Sequence, residues 1–158
     1  MKPLKNLTVA LALLSGSLVA PGTWAADPAL IAAVSSELNW APAPSVGPGA
    51  MIAVIEGDLK TAEPFTFRLK LPANSKIGVH THPLTERVTV ISGTFYFATG
   101  DKFDPAQVKA YQPGDTLIIP PGTAMYAATQ DQETVLQLHG TGPWGISYLD
   151  PADAPKAP

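Results

Sequence analysis

GVHTHPLTERVTVISG, residues 78–93, is the stretch on which the reading of this chain turns. Two of the three histidines, His80 and His82, lie here with one residue between them. In an extended segment positions i and i+2 point to the same side, so the two imidazoles project together. Pro83 then bends the chain. Glu86 opens the next strand-like run, and its carboxylate can swing back to the same point. Two imidazoles and one carboxylate form a donor set that holds a divalent metal ion while leaving coordination positions open. Near neutral pH an imidazole is available as the neutral base and a carboxylate as the anion. His80, His82 and Glu86 are therefore the candidate metal ligands.

The residues on either side are those of an all-β fold. In FTFRLKL, Phe65, Phe67, Leu69 and Leu71 alternate with Thr66, Arg68 and Lys70. This period of two marks a strand with one buried face. ERVTVIS and TFYFAT flank Gly93 like the arms of a hairpin. MIAVIEG, TLIIP, MYAAT, TVLQLH and GISYL supply further short strands. PAN, TGDKFDP, QPGD, PPGT and GTGPWG between them are turn chemistry. Many short strands at regular spacing predict an antiparallel sandwich or barrel.

The N-terminal part reads differently. Lys2 and Lys5 precede an apolar run at residues 7–20 that is too short to span a bilayer comfortably. Small residues at Thr23 and Ala25 then favour cleavage after Ala25. Residues 1–25 read as a secretory signal peptide, which places the mature chain in the periplasm or outside the cell with no membrane anchor. Loss of Lys2 and Lys5 takes the formal charge from −3 to −5. Asp27 as a cap and Leu30, Val34 and Leu38 at four-residue spacing predict a short helix over about 28–38. The Pro- and Gly-rich residues 41–50 form an extended connector. The organisation is thus signal peptide 1–25, helix and connector 26–50, one β domain 51–150 and a tail 151–158.

Composition removes several classes of function. The chain of 158 residues is long enough for one domain. An acidic balance with no basic cluster argues against nucleic acid. With no cysteine, neither disulfides nor a lipoprotein anchor is available, and a cysteine nucleophile is excluded. No serine sits in a G-x-S-x-G setting.

The order His80, His82, Glu86, Gly93, with one, three and six residues between them, resembles the first motif of the cupin superfamily. The family's leading glycine is replaced here by Asn74. The second motif is matched by Gly114, Pro120 and Gly122 in GDTLIIPPGTAM, with Met125 where the family has histidine. The resemblance covers residues 48–150. It implies a cupin-type jelly-roll β-barrel that binds a divalent ion (Fe, Mn, Ni, Cu or Zn), and it implies a possible homodimer.

Other residues keep more than one reading. Met125 is a flexible residue lining the pocket, a thioether ligand suited to copper, or the mark of a site that no longer binds metal tightly. His139 is the remaining histidine. It is a candidate for proton transfer or for the missing ligand if the leucines of TVLQLH pack outward, and otherwise a hydrogen-bonded residue at a strand end. Tyr96, Tyr126 and Trp144 line a cavity mouth or belong to the core. Two functions follow: a metal-dependent oxygenase, isomerase or lyase acting on a small molecule, or a non-catalytic exported binder of a small molecule or metal ion.

Overall fold

The computed structural model describes residues 30–156, and the account below concerns the unit that begins at Ile31. The expected signal peptide and the residues around its cleavage site lie outside the described residues. Eleven strands follow one another: β1 (Ala41–Pro42), β2 (Met51–Glu56), β3 (Pro64–Leu71), β4 (Lys76–Thr81), β5 (Glu86–Ser92), β6 (Phe95–Thr99), β7 (Lys109–Tyr111), β8 (Thr116–Ile119), β9 (Met125–Ala128), β10 (Thr134–Thr141) and β11 (Ser147–Tyr148). They form two antiparallel sheets, β1-β2-β3-β10-β5-β8 and β11-β4-β9-β6-β7.

The alternation seen in the sequence places the core between these sheets. Phe65, Phe67, Leu69 and Leu71 of β3 are buried, as are Val88 and Val90 of β5 and Leu136 and Leu138 of β10. Phe95 and Phe97 of β6 and Met125 and Ala127 of β9 meet them from the second sheet. The connector adds Ala43, Val46 and Ala50 to the same core.

Two expectations need correction. The helix over 28–38 does not form in the described part, where the only helical turn is a 3-10 segment at Ser35–Glu37. Ile31 and Val34 are exposed, so the apolar stripe has nothing to pack against. A helix this short draws its stability from tertiary burial. The segment instead runs over the outer face of β3, where Arg68 Nη1 donates to Ser35 Oγ at 2.7 Å and Lys70 Nζ sits 4.5 Å from the Trp40 ring.

Nor do β5 and β6 form a hairpin. β5 pairs with β10 and β8, while β6 pairs with β9 and β7. At Gly93 the chain steps from one sheet to the other. Gly93 has φ 76, and a side chain there would run into Glu133 O and Thr134. Two strands facing each other across a core show the same alternation as two strands side by side.

Asn74, at the family's leading glycine position, has φ 58. Asparagine is among the few residues that tolerate the left-handed region, so the replacement keeps the turn. Its amide donates to Gln130 O.

Candidate metal centre

A β-bulge aims His80. Between β4 and β9, Ile77 pairs with Ala127 and His80 with Met125, so three steps on β4 match two on β9. The extra residue at Gly78–Val79 changes the parity of the strand. Ile77 and His80 consequently both line the interior, although they are an odd number of residues apart. His82 follows just past the end of β4, and Gly122 of the second motif donates its amide to His82 O at 2.9 Å. Glu86 is the first residue of β5.

The three side chains line one cavity and are each at most 5 % exposed. His80 Nδ1 is 2.7 Å from Gly78 O, and His82 Nδ1 is 2.6 Å from Gly145 O. A carbonyl can only accept, so both Nδ1 atoms carry a proton, and in the neutral form of each ring Nε2 is the lone-pair nitrogen. Tying one ring nitrogen to a carbonyl is how proteins fix the tautomer and orientation of a ligating histidine. His82 Nε2 is 3.4 Å from Glu86 Oε2. Glu86 Oε1 accepts a hydrogen bond of 2.8 Å from Trp144 Nε1.

Burial dominates the electrostatics. Desolvation, opposed by the Gly78 carbonyl and reinforced by His82, lowers His80 from 6.5 to about 4, so the ring is neutral at neutral pH. Desolvation raises the Glu86 carboxyl above its ordinary value of 4.5, while His82 and the Trp144 N–H pull it back down.

The donor chemistry suits a transition ion: two lone-pair imidazoles, one carboxylate, and a soft thioether at Met125 lining the same cavity. The 3.4 Å between His82 and Glu86 is close to the separation of two donors each about 2.1 Å from a shared ion. The tight part is this pair. Among the described residues no three His, Asp or Glu side chains are gathered closely enough to hold an ion as they stand. His80 stands beside the pair, its ring centroid 5.0 Å from that of His82 and its plane turned by 82°.

The free space is small. The cavity holds about 40 Å³ and is walled by apolar side chains, among them Phe95, Phe97, Ile119, Leu136 and Leu138. That is room for about three water-sized groups, each needing roughly 10–15 Å³.

A C-terminal strap closes it. After Gly142, whose amide donates to Glu63 O, the amide of Trp144 donates to Leu59 O at 2.7 Å. The indole stacks on His82 with centroids 5.5 Å apart and meets Phe67 edge-on at 5.2 Å. Ile146 lines the cavity. Tyr148 pairs with His80 across β11 and β4, and its hydroxyl reaches Ser45 O and Val46 O at 3.0 and 3.1 Å. Burial, reinforced by Asp153, pushes that phenol up to about 12, so it stays a donor.

Of the remaining candidates, His139, Tyr96 and Tyr126 sit elsewhere and Met125 lines the cavity. Leu136 and Leu138 point inward, so His139 has the opposite parity and lies on the outer face of the sheet between Thr66 and Arg87. It does not line the cavity that holds His80, His82 and Glu86. Tyr96 is half-buried on the outer face of β6. Tyr126 is buried, but beneath the 100–108 loop, with its ring 5.0 Å from Phe103 and its hydroxyl donating to Asp104 O. Neither tyrosine lines the cavity. Met125 does. The contact of Trp144 with Glu86 was not legible in the sequence, because its turn-like setting, GTGPWG, carries no signal for that hydrogen bond.

The fold is that of the cupin superfamily. An RmlC-like cupin from Shewanella frigidimarina superposes with a TM-score of 0.54 at 16 % identity, covering 69 % of this chain and 87 % of the other. The polyketide cyclase RemF from Streptomyces resistomycificus gives 0.61 at 13 %, covering 78 % and 89 %. The DMSP lyase DddQ from Ruegeria pomeroyi gives 0.57 at 15 %, covering 72 % and 62 %. No family model and no curated protein matches the chain.

Proposed function

We propose that this chain is an exported cupin that binds one divalent transition-metal ion through His82, Glu86 and His80. The supporting observation is the pair His82 Nε2 and Glu86 Oε2, a ring nitrogen and a carboxylate oxygen facing each other at 3.4 Å in a buried cavity. Such a pair repels unless a cation lies between them, either a proton or a metal ion. Imidazole donors favour Fe, Mn, Ni, Cu or Zn over magnesium or calcium.

The cavity size favours metal binding over catalysis on an organic molecule. Sites for small organic ligands occupy roughly 300–1,000 Å³, against about 40 Å³ here. As the strap stands, the space admits an ion with a few water-sized ligands. A catalytic reading has one observation in its favour: Trp144 and Ile146 wall the cavity from the segment leading into β11, a strand of two residues whose parting from β4 would admit a substrate. A bound ion would then supply Lewis-acid chemistry. His80, His82 and Glu86 are the titratable residues lining the cavity, so the ligands themselves would be the groups nearest a substrate. That the fold also serves a cyclase and a lyase speaks to the fold alone at 13–15 % identity.

Elemental analysis of protein purified from the exported fraction tests the metal reading. About one transition-metal ion per chain is expected, with a sharp loss in Glu86→Ala and His80→Ala. Unchanged metal in the folded double variant would place the site elsewhere. The mass of the same preparation tests export: the chain should begin near Ala26, and an intact Met1 chain in the membrane pellet would refute it.

A further inference from the structure

We infer that Trp144 is a positioning residue that restricts Glu86 to one ligating oxygen and thereby biases the site toward compact transition ions over magnesium and calcium. The inference rests on the metal reading above. An indole N–H is a donor with a single proton and no acceptor capacity. Its 2.8 Å bond takes one lone pair of Glu86 Oε1 and turns that oxygen toward the indole. Oε2 is left, and it is the oxygen that faces His82 Nε2 at 3.4 Å.

The indole is itself held firmly. Its main-chain amide is bonded to Leu59 O, one ring edge meets Phe67, and its face lies against His82 at an interplanar angle of 28°. One side chain thus sets both the rotation of the carboxylate and the plane of the imidazole. Turning the carboxylate to present both oxygens to one ion would pull Oε1 away from the indole, and a partly buried donor that loses its partner is disfavoured.

Calcium commonly takes 6–8 oxygens, often with bidentate carboxylates, and magnesium keeps several of its waters. A cavity of about 40 Å³ with one free carboxylate oxygen provides neither. Transition ions accept imidazole readily and are satisfied by fewer ligands.

Competition titrations with zinc, magnesium and calcium chlorides on wild type and Trp144→Phe test this. Phenylalanine keeps the ring and removes the donor. Zinc affinity should fall about 10–100-fold, the usual consequence of losing a partner that orients a ligand. The preference for zinc over magnesium should narrow. A residue that only supports the fold would lower both affinities together and leave the preference unchanged. X-ray absorption on the zinc-loaded wild type gives a readout that needs no variant: one carboxylate oxygen at bonding distance is expected, and a bidentate carboxylate overturns the inference. Equal preference in the two proteins also overturns it while leaving the metal reading intact. A wild type that binds no zinc, nickel, copper, iron or manganese overturns both.

Discussion

His80 and Glu86 share one cavity, yet burial moves their proton affinities in opposite directions. The imidazole is driven down to about 4 and the carboxyl is driven up. Each shift favours the neutral form, as desolvation requires.

The His80 shift predicts an acid-sensitive fold. The unfolded chain takes up the proton near 6.5 and the folded chain only near 4. Between these values the unfolded state binds more protons, so stability falls as pH falls. The His80 contribution is whole above about 6.5 and is lost as pH drops toward 4, on the order of 3 kcal/mol over the window. The raised Glu86 value acts the other way, favouring the folded state at low pH and withdrawing that support as pH rises. Denaturant unfolding of metal-free wild type and His80→Gln isolates the His80 part, since Glu86 is common to both. The stability gap between them should shift against wild type on acidification. A gap that does not change with pH would show that the ring is not desolvated.

Gly93→Ala should destabilise the chain by about 1–3 kcal/mol, because alanine must adopt a left-handed backbone. It must also fit where Glu133 O and Thr134 already lie. Urea midpoints measure this. An unchanged midpoint would mean that the step between the two sheets is not confined at this residue.

His139→Ala should leave bound metal unchanged and alter stability by about 0.5 kcal/mol or less, as for a surface position away from special features. The basis is its place on the outer face between Thr66 and Arg87. Metal content and melting temperature check it together. Metal loss equal to that in Glu86→Ala would put His139 back at the site.

The sequence carried some of this clearly and hid the rest for physical reasons. The β3 alternation and the run from His80 to Gly93 were legible, because period-two burial and short turns leave marks at fixed spacing. The facing of β5 and β6 was not, since alternation records which side is buried and not which strand is the neighbour. The bulge at Gly78–Val79 was hidden too, because it is a property of register between β4 and β9. His139 depended on the parity of a strand with apolar residues on both faces. Trp144 reaches Glu86 from 58 residues away, through a turn whose local chemistry says only that the chain bends.

Met125 gives the last prediction. It pairs with His80 across β9 and β4, is 2 % exposed, and lines the same cavity. The second motif's match in register is therefore spatial as well as sequential. A thioether adds little affinity for hard or borderline ions and real affinity for copper(I). Met125→His would place a third imidazole beside the pair His82–Glu86. It should raise affinity for zinc, nickel and iron(II), and shift any copper(II)/copper(I) balance toward copper(II). The substitution replaces a packed apolar side chain with a polar ring, so a modest loss of stability in the metal-free protein accompanies it, recovered on metal binding by mass action. Competition titrations on both proteins read the affinities, and melting curves with and without zinc read the linkage. If wild type and Met125→His show the same metal preference and the same zinc-induced shift in melting, Met125 is a wall of the cavity and takes no part in holding the ion.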